Sequence, residues 1–294
     1  MHIDETPGLV GQGKKDKKYK RAYFWPILAP DVGVSFFYCK TRGFVEIEKI
    51  LQDFSGVIVS DAHSAYEKLV SITQQGWQLC WMHIRRKFHE ALLSNEEISS
   101  ECLVYINKLY ALERDYKDRG LSTEAKTLAR QKESKPVLDE FKQKLDILSV
   151  RPEVLTDKLL SDAVFYVLRR WEPACLFVSD GALPIDNGAD ERVVRHAKLG
   201  MKNWLHCSSE EGADATAVLY TLICSALMHG IHPYYYLLDL TKRLDSPGIT
   251  ARDLIPSEWK KLFYEEAVPE EFRSAIAPGE PSVGPPESVK NLQP

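Results

Sequence analysis

The feature that most constrains this chain is a pair of β-type segments near the N-terminus, followed by apolar runs that alternate between strand and helix spacing. Segments 22–29 and 33–40 are rich in aromatic and β-branched residues, and Pro30-Asp31-Val32 separates them. This pattern predicts two strands joined as a hairpin. Residues 2–6 predict the end of an earlier strand, which Pro7 would terminate. The chain therefore opens with three expected strands.

Helices and short strands are expected to alternate after the hairpin. Apolar residues between 44 and 54 recur at helical spacing, and 57–59 predicts a short buried strand. A helix is expected near Ser64, a fifth strand over 78–81 and a basic helix over 82–93. The order β-β-β-α-β-α-β-α favours an α/β fold, with a mixed five-stranded sheet flanked by helices.

The rest of the chain predicts a helical insertion, a return to the first domain and a tail. Charged amphipathic segments fill 95–161 and predict an all-helical insertion. The expected domains are 1–94 as the first part of the α/β domain, 95–161 as the insertion and 162–264 as the remainder with C-terminal helices. Segment 265–294 is rich in proline and poor in large apolar residues, so we expect a disordered tail.

Composition limits the function classes. The net charge of -4 gives no overall attraction to nucleic acid, so DNA binding must rest on local basic patches. The longest apolar stretch, 213–228, is interrupted by Asp214, Thr216, Thr221 and Ser225, which makes it too polar for a membrane span. The N-terminus lacks the pattern of a secretory signal, and we expect a cytoplasmic protein.

The cysteine pattern indicates no redox role. The six residues are scattered without paired spacing, so we expect buried thiols rather than disulfides. Cys80 and His83 have a spacing that zinc ligands use, but no second pair follows them, and a structural zinc site needs four ligands.

Two aspartates are candidate metal ligands. Asp61 follows a predicted buried strand, and Asp4 ends another. Converging carboxylates suit Mg²⁺, and a pair of such ions supports phosphodiester chemistry. The spacing also fits a simpler role in which both aspartates cap the next turn or helix. Spacing alone leaves both interpretations open.

Several motifs in a fixed order identify a resemblance. The sequence shows DETP from Asp4, YFW from Tyr23, GVIVSDAHSAY ending at Tyr66, and CWMHIRRKF from Cys80. LYALERDY, IDNGADERVVR from Ile185 and KNWLHCSSEEG from Lys202 follow. In this order they resemble the transposases of the insertion-sequence-66 family along nearly the whole folded length.

The resemblance implies a ribonuclease H-like fold with an Asp, Asp, Glu triad at Asp4, Asp61 and Glu191. Asp190 is the second choice for the third carboxylate, and Asp186 and Glu210 are chemically equally plausible. The implied enzyme is a DDE transposase, a polynucleotidyl transferase that cuts insertion-sequence ends and joins them to target DNA. The triad would hold two Mg²⁺ ions, with Mn²⁺ as a substitute. The expected partners are double-stranded DNA, further copies of the chain on that DNA and companion proteins of the same element.

Basic residues near these motifs are expected to bind the DNA backbone. They are Lys14, Lys15, Lys17 and Lys18 with Lys20 and Arg21 in an early basic run, Arg85, Arg86 and Lys87 after Trp81, and Arg192, Arg195, Lys198 and Lys202 after Glu191. Solvated helix faces and a solvated loop are the simpler alternatives. Trp204 fits either base stacking or a place in the core.

The sequence departs from the family pattern in two ways. Asn187-Gly188-Ala189-Asp190 stands where the family usually has Asn-Asn-Ala-Ala, so an extra carboxylate precedes Glu191. Family members usually carry a long N-terminal DNA-binding region, whereas this sequence begins three residues before Asp4. The alternative function is therefore a truncated, inactive remnant that acts as a non-catalytic DNA-binding or assembly protein.

Overall fold

A computed structural model of the chain describes residues 1–11, 18–73 and 75–273, without the side chains of residues 189–194, 196 and 204. The strands are β1 (His2–Ile3), β2 (Thr6–Gly11), β3 (Tyr19–Ala29), β4 (Gly33–Cys39), β5 (Val57–Ser60) and β6 (Gly76–Leu79). The helices up to residue 148 are α1 (Phe44–Leu51), α2 (Ser64–Thr73), α3 (Trp81–Ala91), α4 (Glu96–Asp118), α5 (Thr123–Ala129) and α6 (Lys135–Leu148). The later helices are α7 (Pro152–Thr156), α8 (Lys158–Leu168), α9 (Trp171–Cys175), α10 (Gly188–Trp204), α11 (Glu210–Met228), α12 (Pro233–Arg243), α13 (Pro256–Ala267) and α14 (Glu270–Arg273).

The α/β prediction is confirmed, because the chain combines strands in antiparallel and parallel pairs with many helices. The chain divides into two compact units, a first unit of residues 1–42 and 189–294 and a second unit of residues 43–188. Within the described residues, no helix has both the length and the apolarity to cross a membrane.

The antiparallel strands of the first unit are arranged around β3. Strands β1 and β2 pair with one edge of β3, and β4 pairs with the other. A break at Asp4 and Glu5 separates β1 from β2, so the described chain has six strands where the sequence predicts five. The prediction that Pro7 ends the first strand is wrong, because Pro7 lies inside β2 opposite Tyr23. Strand β2 is at the end of the strand order, where a proline without an N–H is tolerated.

Helix α11 completes the hydrogen bonding of β4. The Ser225 hydroxyl accepts a bond from Val34 N at 3.0 Å and donates one to Val34 O at 2.9 Å. The Thr221 hydroxyl accepts from Phe36 N at 2.8 Å. These side chains take the place of a neighbouring strand, which protects the backbone groups of β4 from open pairing. Below them, Phe24, Phe36 and Cys224 are part of one apolar core.

Helices α12 to α14 form a second core of the first unit around Tyr236 and Trp259, both fully buried. The Trp259 indole donates to Asp239 at 2.8 Å. Val268 is buried in the same cluster, so ordered packing continues beyond residue 265, where the predicted tail begins. Residues 274–294 of that predicted tail lie outside the described residues.

The second unit joins a parallel strand pair to a large helical core. Strands β5 and β6 pair in parallel, from Val57 opposite Gly76 to Ser60 opposite Leu79. The predicted fifth strand extends too far, because Cys80 already has the position of a helix N-cap and Trp81 begins α3. The Trp81 indole donates to Ala174 O at 2.7 Å, and its ring lies 6.3 Å from that of Phe141. These contacts give Trp81 a helical position in the core.

A buried arginine connects the helices of the second unit. Arg130 begins a π-helical turn, Arg130–Ser134, and is fully buried. Its guanidinium donates to both carboxylate oxygens of Glu113 at 2.7 Å, and to the carbonyl oxygens of Phe177 and Asp180 at the same distance. Because the charge is paired and its donors are used, Arg130 can be buried. The sequence pattern gave no sign of this residue's role.

Candidate active site

Asp4 lies at the break between β1 and β2. Its backbone N donates to Pro26 O at 3.4 Å, which keeps the residue attached to β3. One side-chain oxygen, Oδ1, accepts a bond from Glu5 N at 2.9 Å. The other, Oδ2, lies 3.6 Å from Lys198 Nζ. The side chain is only 17% exposed, so the carboxylate is held in a fixed position with a cation beside it.

Asp61 directly follows β5, as the sequence predicts. Its Oδ1 accepts a bond from His63 N at 3.0 Å, while its Oδ2 makes no hydrogen bond to any described residue. The next residue, Ala62, donates its N–H to the Tyr166 hydroxyl at 3.2 Å, which fixes the backbone after the strand. Burial raises the pKa of Tyr166, so the hydroxyl stays protonated even at alkaline pH. Asp61 therefore presents one oxygen on a well-supported turn.

Asp61 performs the simple turn role that spacing allowed, because its Oδ1 accepts from the backbone two residues ahead. Among the described residues, Asp4 Oδ1 accepts only from the adjacent Glu5 N. Oδ1 of Asp4 and Oδ1 of Asp61 accept local backbone bonds, which orient the carboxylates. Oδ2 of Asp61 makes no hydrogen bond to a described residue, whereas Oδ2 of Asp4 lies 3.6 Å from Lys198 Nζ. At both residues the local backbone bond leaves Oδ2 out, so that bond is compatible with a ligand role.

The third carboxylate belongs to helix α10. Glu191 and Asp190 lie in the first turns of this helix, and their side chains are outside the described part of the structure. The two other candidates already have partners. Asp186 accepts from the Tyr110 hydroxyl at 2.8 Å and from Gly188 N at 2.9 Å, and Glu210 pairs with Lys40 at 2.7 Å.

Tyr110 and Cys80 are residues near the start of α10 whose roles the sequence did not reveal. Burial, and then the charge of Asp186, raises the pKa of Tyr110, so its hydroxyl remains a donor to that carboxylate. Cys80 Sγ accepts from Asn187 N at 3.3 Å, and burial raises the pKa of this thiol to about 12. Both residues support the loop that leads into α10. Their partners are 76 and 107 residues away in sequence, so spacing could not indicate them.

Of the predicted DNA-binding residues of α10, Lys198 lies beside Asp4. Lys198 and Lys202 line a cavity of about 450 Å³ together with Arg21 of β3. Arg195 is exposed on the same helix, and the side chain of Arg192 is outside the described part. The pair between Lys198 and Asp4 was not expected from the sequence.

The remaining predicted DNA contacts lie on α3 and in the early basic run. Arg85 and Arg86 are exposed, and Arg85 lies over the Tyr110 ring at 5.9 Å. Lys87 is 3.5 Å from Glu90, a solvent-exposed pair on the same helix. Lys18 is exposed before β3, whereas Lys14, Lys15 and Lys17 lie outside the described residues.

The two described aspartates suit a hard divalent cation. They offer oxygen ligands only, each with an Oδ1 oriented by a backbone amide. Asp4 belongs to the first unit and Asp61 to the second, and each is described in its own unit. Among the residues that the structure describes, no group of three or more His, Cys, Asp or Glu forms a metal site.

The comparison with known protein families agrees with the family resemblance that the motifs indicated. The sequence matches the transposase IS66 family over residues 1–215, which include Asp4, Asp61 and Glu191. The chain belongs to the IS66 transposase family. This match covers the greater part of the chain and confirms the resemblance drawn from the motifs.

Relatives of this IS66 family chain occur in Sinorhizobium fredii (strain NBRC 101917 / NGR234). Uncharacterized protein y4hP is 31% identical over 79% of this chain and 45% of its own length. Uncharacterized protein y4jD is 30% identical over 80% of this chain and 47% of its own length, and y4qI is 27% identical over 88% and 51%. The chain thus spans about half the length of the curated relatives it matches. No solved structure matches it.

Proposed function

We propose that this chain is the catalytic part of a DNA transposase with a ribonuclease H-like fold. The antiparallel strands β1 to β4, the parallel pair β5 and β6, and the alternating helices support that fold. The helical stretch from α4 to α7 fits an insertion ahead of α10, the helix that would carry the last catalytic residue. The domain boundaries predicted at 94, 161 and 264 remain part of this proposal.

The observation that carries the proposal is the shared geometry of Asp4 and Asp61. Each follows a strand and has its Oδ1 oriented by a backbone amide. Oδ2 takes no part in that bond at either residue, and at Asp4 it lies 3.6 Å from Lys198 Nζ. Together with Glu191 they would form the acidic triad that the resemblance implies, and all three lie within the matched residues 1–215. Asp190 is the alternative to Glu191.

These residues would hold two Mg²⁺ ions, or Mn²⁺ in their place. Bound there, the ions would activate an attacking water or 3′-hydroxyl and stabilise the leaving oxygen of the phosphodiester. As the resemblance implies, Asp4 and Asp61 would supply ligands to one ion and Glu191 to the other. Lys198 balances the charge of Asp4 until a cation and DNA are bound.

The reaction class is phosphodiester cleavage at insertion-sequence ends, followed by joining of the freed 3′-hydroxyl to target DNA. Double-stranded DNA is the proposed partner, with self-association on that DNA. The exposed cations of α3 and α10 would contact its phosphates, which fix position without reading sequence. A non-catalytic DNA-binding or assembly protein is the alternative outcome of the test below.

The test is calorimetric titration of the full chain with Mn²⁺, in the wild type and in Asp61→Asn. We expect binding in the wild type and its loss in Asp61→Asn, because the neutral amide is a much weaker cation ligand. Asp53→Asn is the matched control, since Asp53 is exposed in the same unit. Equal binding by the wild type and Asp61→Asn would remove Asp61 from the site. Absence of binding in all three, with DNA present, would favour the non-catalytic alternative.

A further inference from the structure

A groove beside Asp4 has walls of two different kinds. The cavity of about 450 Å³ lies between β2 and α10 in the first unit. Arg21, Lys198 and Lys202 supply three cationic side chains, and Leu9, Met201 and Leu205 supply apolar ones. Lys198 also lies 3.6 Å from Asp4, so one residue of the groove adjoins the candidate catalytic carboxylate.

The charge of the groove fits an anionic chain. No aspartate or glutamate is among the lining residues whose side chains the structure describes. Arg21 and Lys202 are exposed and make no ion pair within the described chain. Three cations in one groove suit a ligand with several phosphates, such as a nucleic acid strand, better than a single small anion.

The apolar wall favours a ligand that has apolar surface as well as phosphates. Leu9 is 46% exposed and Leu205 is 67% exposed, which are high values for large apolar side chains beside cations. A nucleic acid strand offers phosphates and the apolar faces of its bases within the same few ångströms. A duplex with stacked bases hides those faces, so the ligand that fits both walls is a strand with an unstacked base.

The backbone of Leu205 adds an independent observation. Leu205 follows the last residue of α10, donates its N–H to Met201 O at 3.0 Å and has φ 63°. This left-handed position at a helix end is normally occupied by glycine, or sometimes asparagine. Leucine is strained there and is also exposed to solvent, so neither the helix end nor the core explains its presence.

We propose that Leu205 is an apolar wedge that packs against an unstacked base at the end of the DNA, while Arg21, Lys198 and Lys202 bind the flanking phosphates. Side chains of this type are used by DNA-binding proteins to separate stacked bases. The inference rests on the proposed function, because the unstacked end would be the one delivered to Asp4. The groove would therefore prefer DNA ends at which a base is unstacked.

The experiment measures binding of the full chain to two short duplexes, with metal chelated so that no strand is cut. One duplex is blunt, and the other ends in a three-nucleotide non-complementary fork with 2-aminopurine at the junction. We expect the wild type to bind the forked duplex roughly tenfold more tightly and to change the fluorescence of the junction base. Leu205→Gly and Leu205→Asn should lose most of that preference while keeping their affinity for the blunt duplex within about twofold.

The control measurements distinguish a wedge role of Leu205 from a purely structural one. Both Leu205 variants should have melting temperatures equal to or above that of the wild type, because they suit the left-handed backbone. Leu199→Ala changes an exposed leucine of α10 that does not line the groove, and it should keep the preference for the fork. Lys202→Gln should weaken binding to both duplexes.

Two results would overturn the proposal: no preference for the fork in the wild type, or full preference in Leu205→Gly. The second result would instead favour a protein contact at Leu205. Failure of the catalytic proposal is distinguishable, because a protein that cuts no DNA can still prefer the fork with metal chelated. Conversely, cleavage that depends on Asp61 can persist without any fork preference.

Discussion

The ammonium group of Lys198 lies 3.6 Å from Oδ2 of Asp4, the oxygen that would bind a cation. Lys198 is 41% exposed, so water screens this pair and its contribution to stability is small. Its effect on cation binding is more direct, because a neighbouring positive charge opposes the arrival of another one. Lys198 also lines the basic groove, so one side chain is placed to serve both Asp4 and a phosphate.

Removing this charge should change metal and DNA binding in opposite directions. We expect Lys198→Gln to bind Mn²⁺ roughly threefold more tightly, because Asp4 loses its competing cation. The same variant should bind DNA more weakly, with a salt dependence reduced by about one unit of slope. Calorimetry and salt-dependent DNA titration measure the two effects.

Lys202→Gln is the matched control, because Lys202 lines the groove without contacting Asp4. It should lose DNA affinity and leave Mn²⁺ affinity unchanged. If Lys198→Gln binds Mn²⁺ no more tightly than the wild type, Lys198 does not oppose cation binding at Asp4.

At the scale of elements, helix α11 and strand β4 depend on each other. Thr221 and Ser225 interrupt an apolar stretch, and the sequence shows only that they make it too polar for a membrane span. Their hydroxyls bond Phe36 N and Val34 N, respectively, so they complete the outer edge of β4. A helix can therefore serve as the lateral partner of a strand.

Removing both hydroxyls should destabilise the first unit more than either single change. Each of Ser225→Ala and Thr221→Ala leaves a backbone N–H of β4 without its partner, at a cost of about 1 to 2 kcal/mol. The double variant should lose roughly 3 kcal/mol in urea unfolding followed by circular dichroism. Thr241→Ala on α12 is the control, since Thr241 only bonds within its own helix and is exposed. A double variant as stable as the wild type would show that water replaces these bonds without cost.

The elements themselves were largely predictable, and their ends were not. Hydrophobic spacing predicted the hairpin of β3 and β4, the strand before Asp61 and the helix at Ser64. It missed the break at Asp4 and Glu5 between β1 and β2, and the helical position of Trp81, which packs against Phe141. Contacts between distant residues decide such boundaries, and a local pattern does not contain them.

For the whole molecule, buried thiols link stability to alkaline pH. Burial raises the pKa of Cys80, Cys102, Cys175 and Cys224 from 9.0 to about 12. Unfolded thiols ionise near pH 9.0, whereas the folded ones stay neutral until about pH 12. Their contribution to stability is therefore complete below pH 9 and is lost as the pH rises to about 12.

We expect the free energy of unfolding to fall steadily from about pH 9, by up to about 1.4 kcal/mol per pH unit for each thiol. Urea titrations in reducing buffer at several pH values measure this slope. Cys224→Ala should be less stable at neutral pH but show a shallower decline. A stability that stays constant from pH 8.5 to 10.5 would contradict the burial of these thiols.

The sequence indicated which residues belong to the candidate site, but not which contacts they make. The motif order placed Asp4 and Asp61, and the structure adds their oriented Oδ1 atoms and the Lys198 contact. It also gives Asp186 and Glu210 other partners, Tyr110 and Lys40, which no sequence pattern indicated. The roles of Asp4, Asp61 and Glu191 stay predictions, as do the predicted contacts to DNA.

The most direct test of the central claim is strand cleavage by the purified full chain on a duplex that carries the ends of its own insertion sequence. With Mg²⁺ or Mn²⁺ we expect the wild type and Asp53→Asn to release 3′-hydroxyl ends. Asp61→Asn should be slower by at least about a thousandfold while binding the duplex within about twofold, because the carboxylate acts on the reaction rather than on affinity. Equal cleavage by Asp61→Asn, or cleavage that persists after chelation of the metal, would contradict the account.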